Sequence, residues 1–406
     1  MTETFVIVGA SLAGGNAAIT LRQEGFEGRV ILIGAEHNLP YERPPLSKQY
    51  LRGETAAEKA FLRPPEFYTS NNIETRLGVS VRRVDTASKS VELDGGEIIE
   101  YDKLLITTGG RNRHPPIPGI DLPGVYGLRT LEDADAIRAE AQPGKNAVVV
   151  GMGFIGSEVT ASLRTIGVNV TVVEGKDSPL GGILGPEISR YIEKVHRENG
   201  VEMHFSEIVS SFDGTDHVER VTTRGGLRLD CDFAVIGVGI QPVTDIVTDT
   251  GMKLENGIVV DEYCRTSIED VFAAGDVANH FHPLAGSHIR VEHWQNAIHQ
   301  GTAAAKSMMG RGSPYEEIHW FWSDQYDMNI QYAGFNAEAD EVVMRGKPED
   351  GRFISFRLKD GVLIACAAIN RSRDLQRSIP LIAARKHLDV SQLQDETVDL
   401  RSLAKN

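Results

Sequence analysis

Two short glycine runs carry the clearest chemistry in this chain. Residues 151–156 read GMGFIG, placing Gly151, Gly153 and Gly156 at the spacing of a strand-to-helix turn. The N-terminus of a helix offers free N–H groups and a partial positive charge to a pyrophosphate. The backbone must come close, so side chains at the turn must be absent or tiny. Glu174 ends the next apolar run, where a carboxylate meets ribose hydroxyls and repels a 2′-phosphate. That favours NADH over NADPH, and Lys176 nearby weakens the preference. Residues 9–14, reading GASLAG, repeat the design with Gly9, Ala13 and Gly14, but Ser11 stands at the second glycine position and crowds the approach. Glu36 follows this turn much as Glu174 follows the other.

Each turn needs a strand before it and a helix after it. Residues 5–8 form an apolar strand, a helix runs on to residue 23, and residues 30–33 form the next strand. The second unit repeats this with residues 147–150, a helix to residue 165 and a strand at 170–173. Short apolar strands of this kind read as buried on both faces of a parallel sheet, joined by right-handed crossovers. Between the units lie strands at 79–84 and 90–93, an apolar run ending in Gly109 and Gly110, and a proline-rich crossing at 115–119. A second strand-then-glycine phrase at 233–239 suggests the return crossing. The final stretch differs, with strand-like alternation at 329–332, 341–344, 353–358 and 362–367 and then an apolar helix at 377–384. The expected fold is α/β: two Rossmann-like dinucleotide-binding domains plus a C-terminal α+β domain. Expected boundaries are 1–110 with 240–316, then 111–239, then 317–406.

Composition bounds the function. Of the 406 residues, 41% are apolar and 24% charged, which suits a globular protein with sizeable cores. A net charge of −15 argues against nucleic-acid partners and against an anionic membrane surface. Cys231, Cys264 and Cys366 are widely spaced, so neither a dithiol nor a cysteine zinc site is expected. His280, His282, His288, His293 and His299 lie close together but at irregular spacing and without acids, and no metal site is expected. No apolar run reaches membrane-spanning length. The strand at residue 5 leaves no room for a basic leader, so the expected location is cytoplasmic.

With both units placed, the sequence resembles the two-dinucleotide-domain flavoproteins of the disulfide-reductase superfamily. Residues 271–277, VFAAGDV, support this. Within it, the sequence is similar to the NADH-dependent ferredoxin reductases that serve cytochrome P450s and aromatic-ring dioxygenases. The phrases that carry the likeness are PYERPPLSK at 40–48, LRTLED at 128–133 and WFWSDQ at 320–325. The resemblance implies FAD held by Gly9, Ser11, Ala13, Gly14, Glu36, Arg43, Lys48, Val81, Arg129, Asp276 and Trp294. It implies NADH held by Gly151, Gly153, Gly156, Glu158 and Glu174. It places Lys48 near the flavin N5, Glu158 on the nicotinamide side, and the Trp320 and Trp322 segment at the flavin face. The disulfide branch of the superfamily carries sulfur in the region that here reads PPLSK, so thiol chemistry is not expected.

By itself, a lysine after a proline loop reads as a surface residue. At a flavin, Lys48 would stabilise the anionic reduced ring and raise its potential, and an acid partner would keep it charged despite burial. The resemblance implies electron transfer from NADH through FAD to a [2Fe–2S] ferredoxin, with Lys48, Glu158 and Trp322 as the catalytic group. Arg371, Arg373, Arg377, Arg385 and Lys386 cluster in an otherwise acidic chain. They read either as a solvated face or as a docking patch for an acidic ferredoxin around Arg371, Arg373 and Arg377. Other readings stay open: an NADH oxidase, an electron donor to rubredoxin or nitrite reductase, or an NADH-responsive interaction protein like apoptosis-inducing factor.

Overall fold

The computed structural model describes residues 2–335 and 338–404. The chain divides into two compact units. The first comprises Met1–Glu42, Ala57–Arg111 and Ile240–His319; the second comprises Arg43–Ala56, Asn112–Gly239 and Trp320–Asn406.

The first unit is built on a five-stranded parallel sheet in the order Val271–Ala273, Lys103–Ile106, Thr4–Val8, Arg29–Gly34, Ile73–Leu77. Alternate side chains point to opposite faces, and both faces are buried. Phe5, Ile7, Val30 and Leu32 pack with Ala17, Ala18 and Leu21 of the helix Leu12–Gln23 and with Ala304, Ala305 and Met308 of the helix Trp294–Met308. Val6, Val8, Ile31 and Ile33 pack against Val81, Val84, Val91, Leu93 and Ile99, which belong to a three-stranded antiparallel sheet. The helix Leu12–Gln23 lies close to the helix Trp294–Met308 because the facing residues are small. A Cβ on Gly301 would fall 2.4 Å from the Ala13 carbonyl oxygen.

The second unit repeats the parallel design with strands Glu202–Phe205, Asn169–Glu174, Asn146–Val150, Phe233–Ile236 and Val125–Gly127. It also holds a five-stranded antiparallel sheet in the order Trp320–Gln325, Met328–Gly334, Val362–Ile369, Arg352–Lys359, Glu341–Lys347. Leu180, Leu184, Ile188 and Ile192 share one apolar core with Phe321, Ile330, Phe353 and Ile369 of that sheet. This shared core makes 112–239 and 320–406 one compact body. The helix after this sheet runs over Ser372–Ala384 and starts earlier than its apolar stretch predicts. Its first turn is polar but held: Asp374 is 8% exposed and pairs with Arg371 at 3.2 Å.

Candidate active site

In the first unit the carboxyl ends of three adjacent parallel strands bring Gly9, Thr107 and Gly275 together, the position where open α/β sheets bind ligands. Gly9 has φ +114°, and a Cβ there would lie 2.2 Å from the Thr107 carbonyl oxygen. The Thr107 hydroxyl donates to the Gly9 carbonyl at 2.8 Å and braces the turn. A Cβ on Gly14 would lie 2.0 Å from the Gly9 carbonyl oxygen, so glycine there is a packing requirement. Ser11 caps the helix Leu12–Gln23 in an extended conformation and makes no side-chain capping bond. The Gly275 N–H donates to Gln300 Oε1 at 2.8 Å, which fixes the turn carrying Asp276. Glu36 accepts a hydrogen bond from the Tyr41 hydroxyl. Trp294 opens its helix, and Val81 is buried at the start of Val81–Asp85. Gly9, Ser11, Ala13, Gly14, Glu36, Val81, Asp276 and Trp294 therefore all belong to the first unit.

The second unit holds the other turn. A Cβ on Gly151 would lie 2.6 Å from the Gly237 carbonyl oxygen, and one on Gly156 would lie 2.0 Å from that of Gly151. A Cβ on Gly153 would meet nothing within 4 Å. The outer glycines thus serve the turn and the helix–strand contact, while the middle one borders open space. The N–H of Met152 and that of Lys176 both donate to the Glu174 carboxylate, the latter at 2.8 Å. These two amides hold the carboxylate at the mouth of the turn.

The helix Phe154–Ile166 that follows this turn carries Glu158, one half of a buried ion pair. Lys48 Nζ sits 2.6 Å from Glu158 Oε2, and the two side chains are 6% and 4% exposed. Lys48 Nζ also donates to the Pro44 carbonyl at 3.2 Å. The Ser47 hydroxyl donates to the same carboxylate oxygen, and the Ser162 hydroxyl donates to the Ser47 carbonyl at 2.6 Å. A buried pair is tolerated where neighbouring donors and acceptors complete it, as the Ser47 hydroxyl and the Pro44 carbonyl do here.

The other carboxylate oxygen anchors a chain that the sequence reading missed. Ser323 donates to Glu158 Oε1 at 2.7 Å, and Gln325 Nε2 donates to Ser323 Oγ at 3.0 Å. Gln325 Oε1 lies 2.9 Å from His196 Nε2, and His196 Nδ1 lies 3.2 Å from the Tyr326 hydroxyl. Burial drives the His196 pKa down to about 4, so its ring is neutral near pH 7. One assignment satisfies every member: Tyr326 donates to Nδ1, Nε2–H donates to Gln325, and each later donor points toward Glu158. The available signal was the alternation in WFWSDQ, where Phe321, Ser323 and Gln325 turn inward. Two polar residues on the buried face of a strand require partners.

Trp322 and Trp320 share the opposite face, with ring centroids 5.8 Å apart, as their period of two predicts. Trp322 Nε1 donates to Asp324 at 3.1 Å. Arg43 and Arg129 are also in the second unit, where the Arg43 guanidinium donates to the Arg129 carbonyl. The basic cluster is less positive than its local sequence. Arg371 pairs with Asp374 and Glu396, and Arg377 pairs with Asp399 at 3.3 Å. Arg373 remains exposed and lines an open groove with Arg377 and Arg401. All three cysteines are buried and unpaired, and burial pushes the Cys231 and Cys366 thiols up to about 12 and Cys264 higher still. Protonated, enclosed thiols offer no disulfide relay.

Comparison with known proteins agrees with this geometry. Residues 3–301 match the pyridine nucleotide-disulphide oxidoreductase family, and residues 320–404 match the reductase C-terminal family. The chain belongs to the pyridine nucleotide-disulphide oxidoreductase family. It is 38% identical to rhodocoxin reductase of Rhodococcus erythropolis, over 98% of this chain and 93% of that protein. It is 39% identical to the ferredoxin–NAD(+) reductase component of the anthranilate 1,2-dioxygenase system of Burkholderia cepacia, over 98% of this chain and 99% of that protein. Among solved structures, the covalent putidaredoxin reductase–putidaredoxin complex superposes with a TM-score of 0.96 at 32% identity, covering 99% of each chain.

Family membership implies FAD and a pyridine nucleotide, NADH for the related reductases. The residues present fit both. Each turn has outer glycines that admit no Cβ, a helix N-terminus behind it, and an acid after the next strand. Among the described residues, no helix is long and apolar enough to cross a membrane.

Proposed function

We propose that this chain is the reductase of an oxygenase system, passing electrons from NADH through FAD to a [2Fe–2S] ferredoxin that serves a cytochrome P450 or an aromatic-ring dioxygenase. The observation that carries this reading is near end-to-end similarity to ferredoxin reductases, joined to a buried lysine–glutamate pair where the disulfide branch of the superfamily keeps sulfur. FAD, when bound, accepts two electrons as hydride from NADH and yields them one at a time.

The protein's share of the work is alignment and electrostatics. The turn around Gly151, Gly153 and Gly156 receives the NADH pyrophosphate, and Glu174 selects ribose hydroxyls over a 2′-phosphate. The turn around Gly9 and Gly14 does the same for FAD, with Ser11, Ala13, Glu36, Arg43, Val81, Arg129, Asp276 and Trp294 as further cofactor residues. Lys48 supplies a fixed positive charge for the electron-rich ring, Glu158 pairs with that lysine at 2.6 Å, and Trp322 offers an aromatic face. Arg373, with Arg371 and Arg377 beside it, provides the positive surface that speeds encounter with an acidic ferredoxin.

The test is steady-state turnover with NADH, with and without an added [2Fe–2S] ferredoxin, while oxygen is monitored. Ferredoxin-dependent turnover with little oxygen consumption is expected. Rapid carrier-free oxygen consumption would instead make the chain an oxidase, and slow reduction with a persistent NADH complex would make it a switch. Arg373→Glu should raise the ferredoxin KM and flatten its salt dependence, leaving NADH-driven flavin reduction unchanged.

A further inference from the structure

One cluster in the first unit takes no part in this chemistry. The strand Ala278–His282 sends His280 and His282 to the same side, and the fold brings His319 beside them. Their ring centroids lie 5.7 Å, 5.5 Å and 5.2 Å apart, and one nitrogen from each ring lies within 4.8 Å of the others. The three are 1%, 0% and 2% exposed. Neither ring nitrogen of His280 has a hydrogen-bond partner, and the same holds for His319. An unmade bond at a buried polar group costs on the order of 1–3 kcal/mol, and folded proteins retain few. Two neighbouring rings with four such nitrogens call for something to satisfy them.

We propose that His280, His282 and His319 form a binding site for one first-row transition-metal ion of the zinc and copper class. Imidazole donors suit these ions, whereas calcium and magnesium require oxygen ligands, which the trio lacks. Coordination needs imidazole lone pairs, and the unpartnered ring nitrogens of His280 and His319 are placed to offer them. His282 is already oriented in the manner of a metal ligand. Its Nε2 donates to the Glu317 carbonyl at 3.0 Å, which leaves the lone pair on Nδ1. That lone pair receives the Ala285 N–H only at 3.4 Å, and the same N–H already serves the His282 carbonyl at 3.1 Å. Zinc bonds to imidazole nitrogen at about 2.0–2.1 Å, spacing ligand nitrogens by roughly 3.3 Å, so binding draws the rings together by small rotations. A fourth position is left for water. Bound there, the ion would clip the segment ending at His319 to the strand Ala278–His282.

The flavin-containing protein is stripped with a chelator, dialysed against zinc chloride alone, and its zinc measured by atomic emission. One zinc per chain is expected, accompanied by a rise in melting temperature. Both should be lost in the His280→Gln, His319→Gln double variant, whose flavin content reports its folding. Exposed histidines such as His37 and His114 are intact in that variant, so zinc retained there is surface binding and overturns the proposal. Absence of zinc from the parent protein does so equally. If the double variant does not fold, zinc K-edge absorption of the parent decides. A shell of three imidazole nitrogens supports the site, and a mainly oxygen shell contradicts it.

Discussion

Lys48 and Glu158 are each other's condition for burial. A lone charge at 4–6% side-chain exposure would be untenable, and the pair is completed by Ser47, Ser323 and the Pro44 carbonyl. Removing one partner of such a pair leaves the other uncompensated, at a cost of about 3–5 kcal/mol. Glu158→Gln should therefore lower the unfolding free energy by that order, read by denaturant titration. Lys48→Gln should also make the flavin potential more negative, by about 30 mV for each 1.4 kcal/mol of lost stabilisation. An unchanged potential would return Lys48 to a purely structural role. Ser323→Ala removes a hydrogen bond to a charged group and should cost about 1.5–3 kcal/mol. Glu174→Gln keeps the size of the side chain but removes the repulsion of a 2′-phosphate. It should narrow the preference for NADH over NADPH, read as the ratio of the two kcat/KM values.

At the scale of the element, the two glycine turns make a separable prediction. The added Cβ of Gly156→Ala would lie 2.0 Å from the Gly151 carbonyl oxygen, whereas that of Gly153→Ala enters open space. Gly153 also has extended backbone, φ −75°, open to any residue. Gly156→Ala should lower the melting temperature, by the equivalent of about 1–3 kcal/mol for overpacking. Gly153→Ala should melt like the parent and raise the KM for NADH. The opposite pattern would mean the middle glycine serves the fold rather than the nucleotide. These elements were legible in the sequence because strand, turn, helix and acid follow one another within a few tens of residues. Lys48 and Glu158 were found only through resemblance, since nothing local distinguishes a lysine after a proline loop. Gln325, His196 and Tyr326 were not found, because their roles exist only once the helix Pro186–Glu198 meets the strand Trp320–Gln325, and Ser47 was not found because its partner Glu158 lies on the helix Phe154–Ile166, far along the chain. For the same reason the basic cluster looked stronger than it is: Glu396 and Asp399 reach Arg371 and Arg377 only through the fold.

Across the whole molecule, buried neutral histidines tie stability to pH. Burial holds His196 to about 4, His280 to about 3 and His319 to about 2 in the folded chain, against an unfolded value near 6.5. Below pH 6.5 the unfolded chain binds protons that the folded chain refuses. The stabilisation is therefore fully present above pH 6.5 and fades as pH falls toward each folded value. Each histidine removes up to about 1.4 kcal/mol per pH unit in that window. Denaturant midpoints should drop steadily from pH 6.5 to 4, and less steeply in His196→Gln. A flat profile would mean the rings are solvated. The most direct test of the account as a whole is single-turnover stopped-flow mixing under anaerobic conditions. NADH should bleach the flavin rapidly, and subsequent mixing with oxidised [2Fe–2S] ferredoxin should restore the flavin colour while two equivalents of ferredoxin are reduced. A flavin that bleaches but is not reoxidised by ferredoxin, or one that NADH does not bleach, would contradict it.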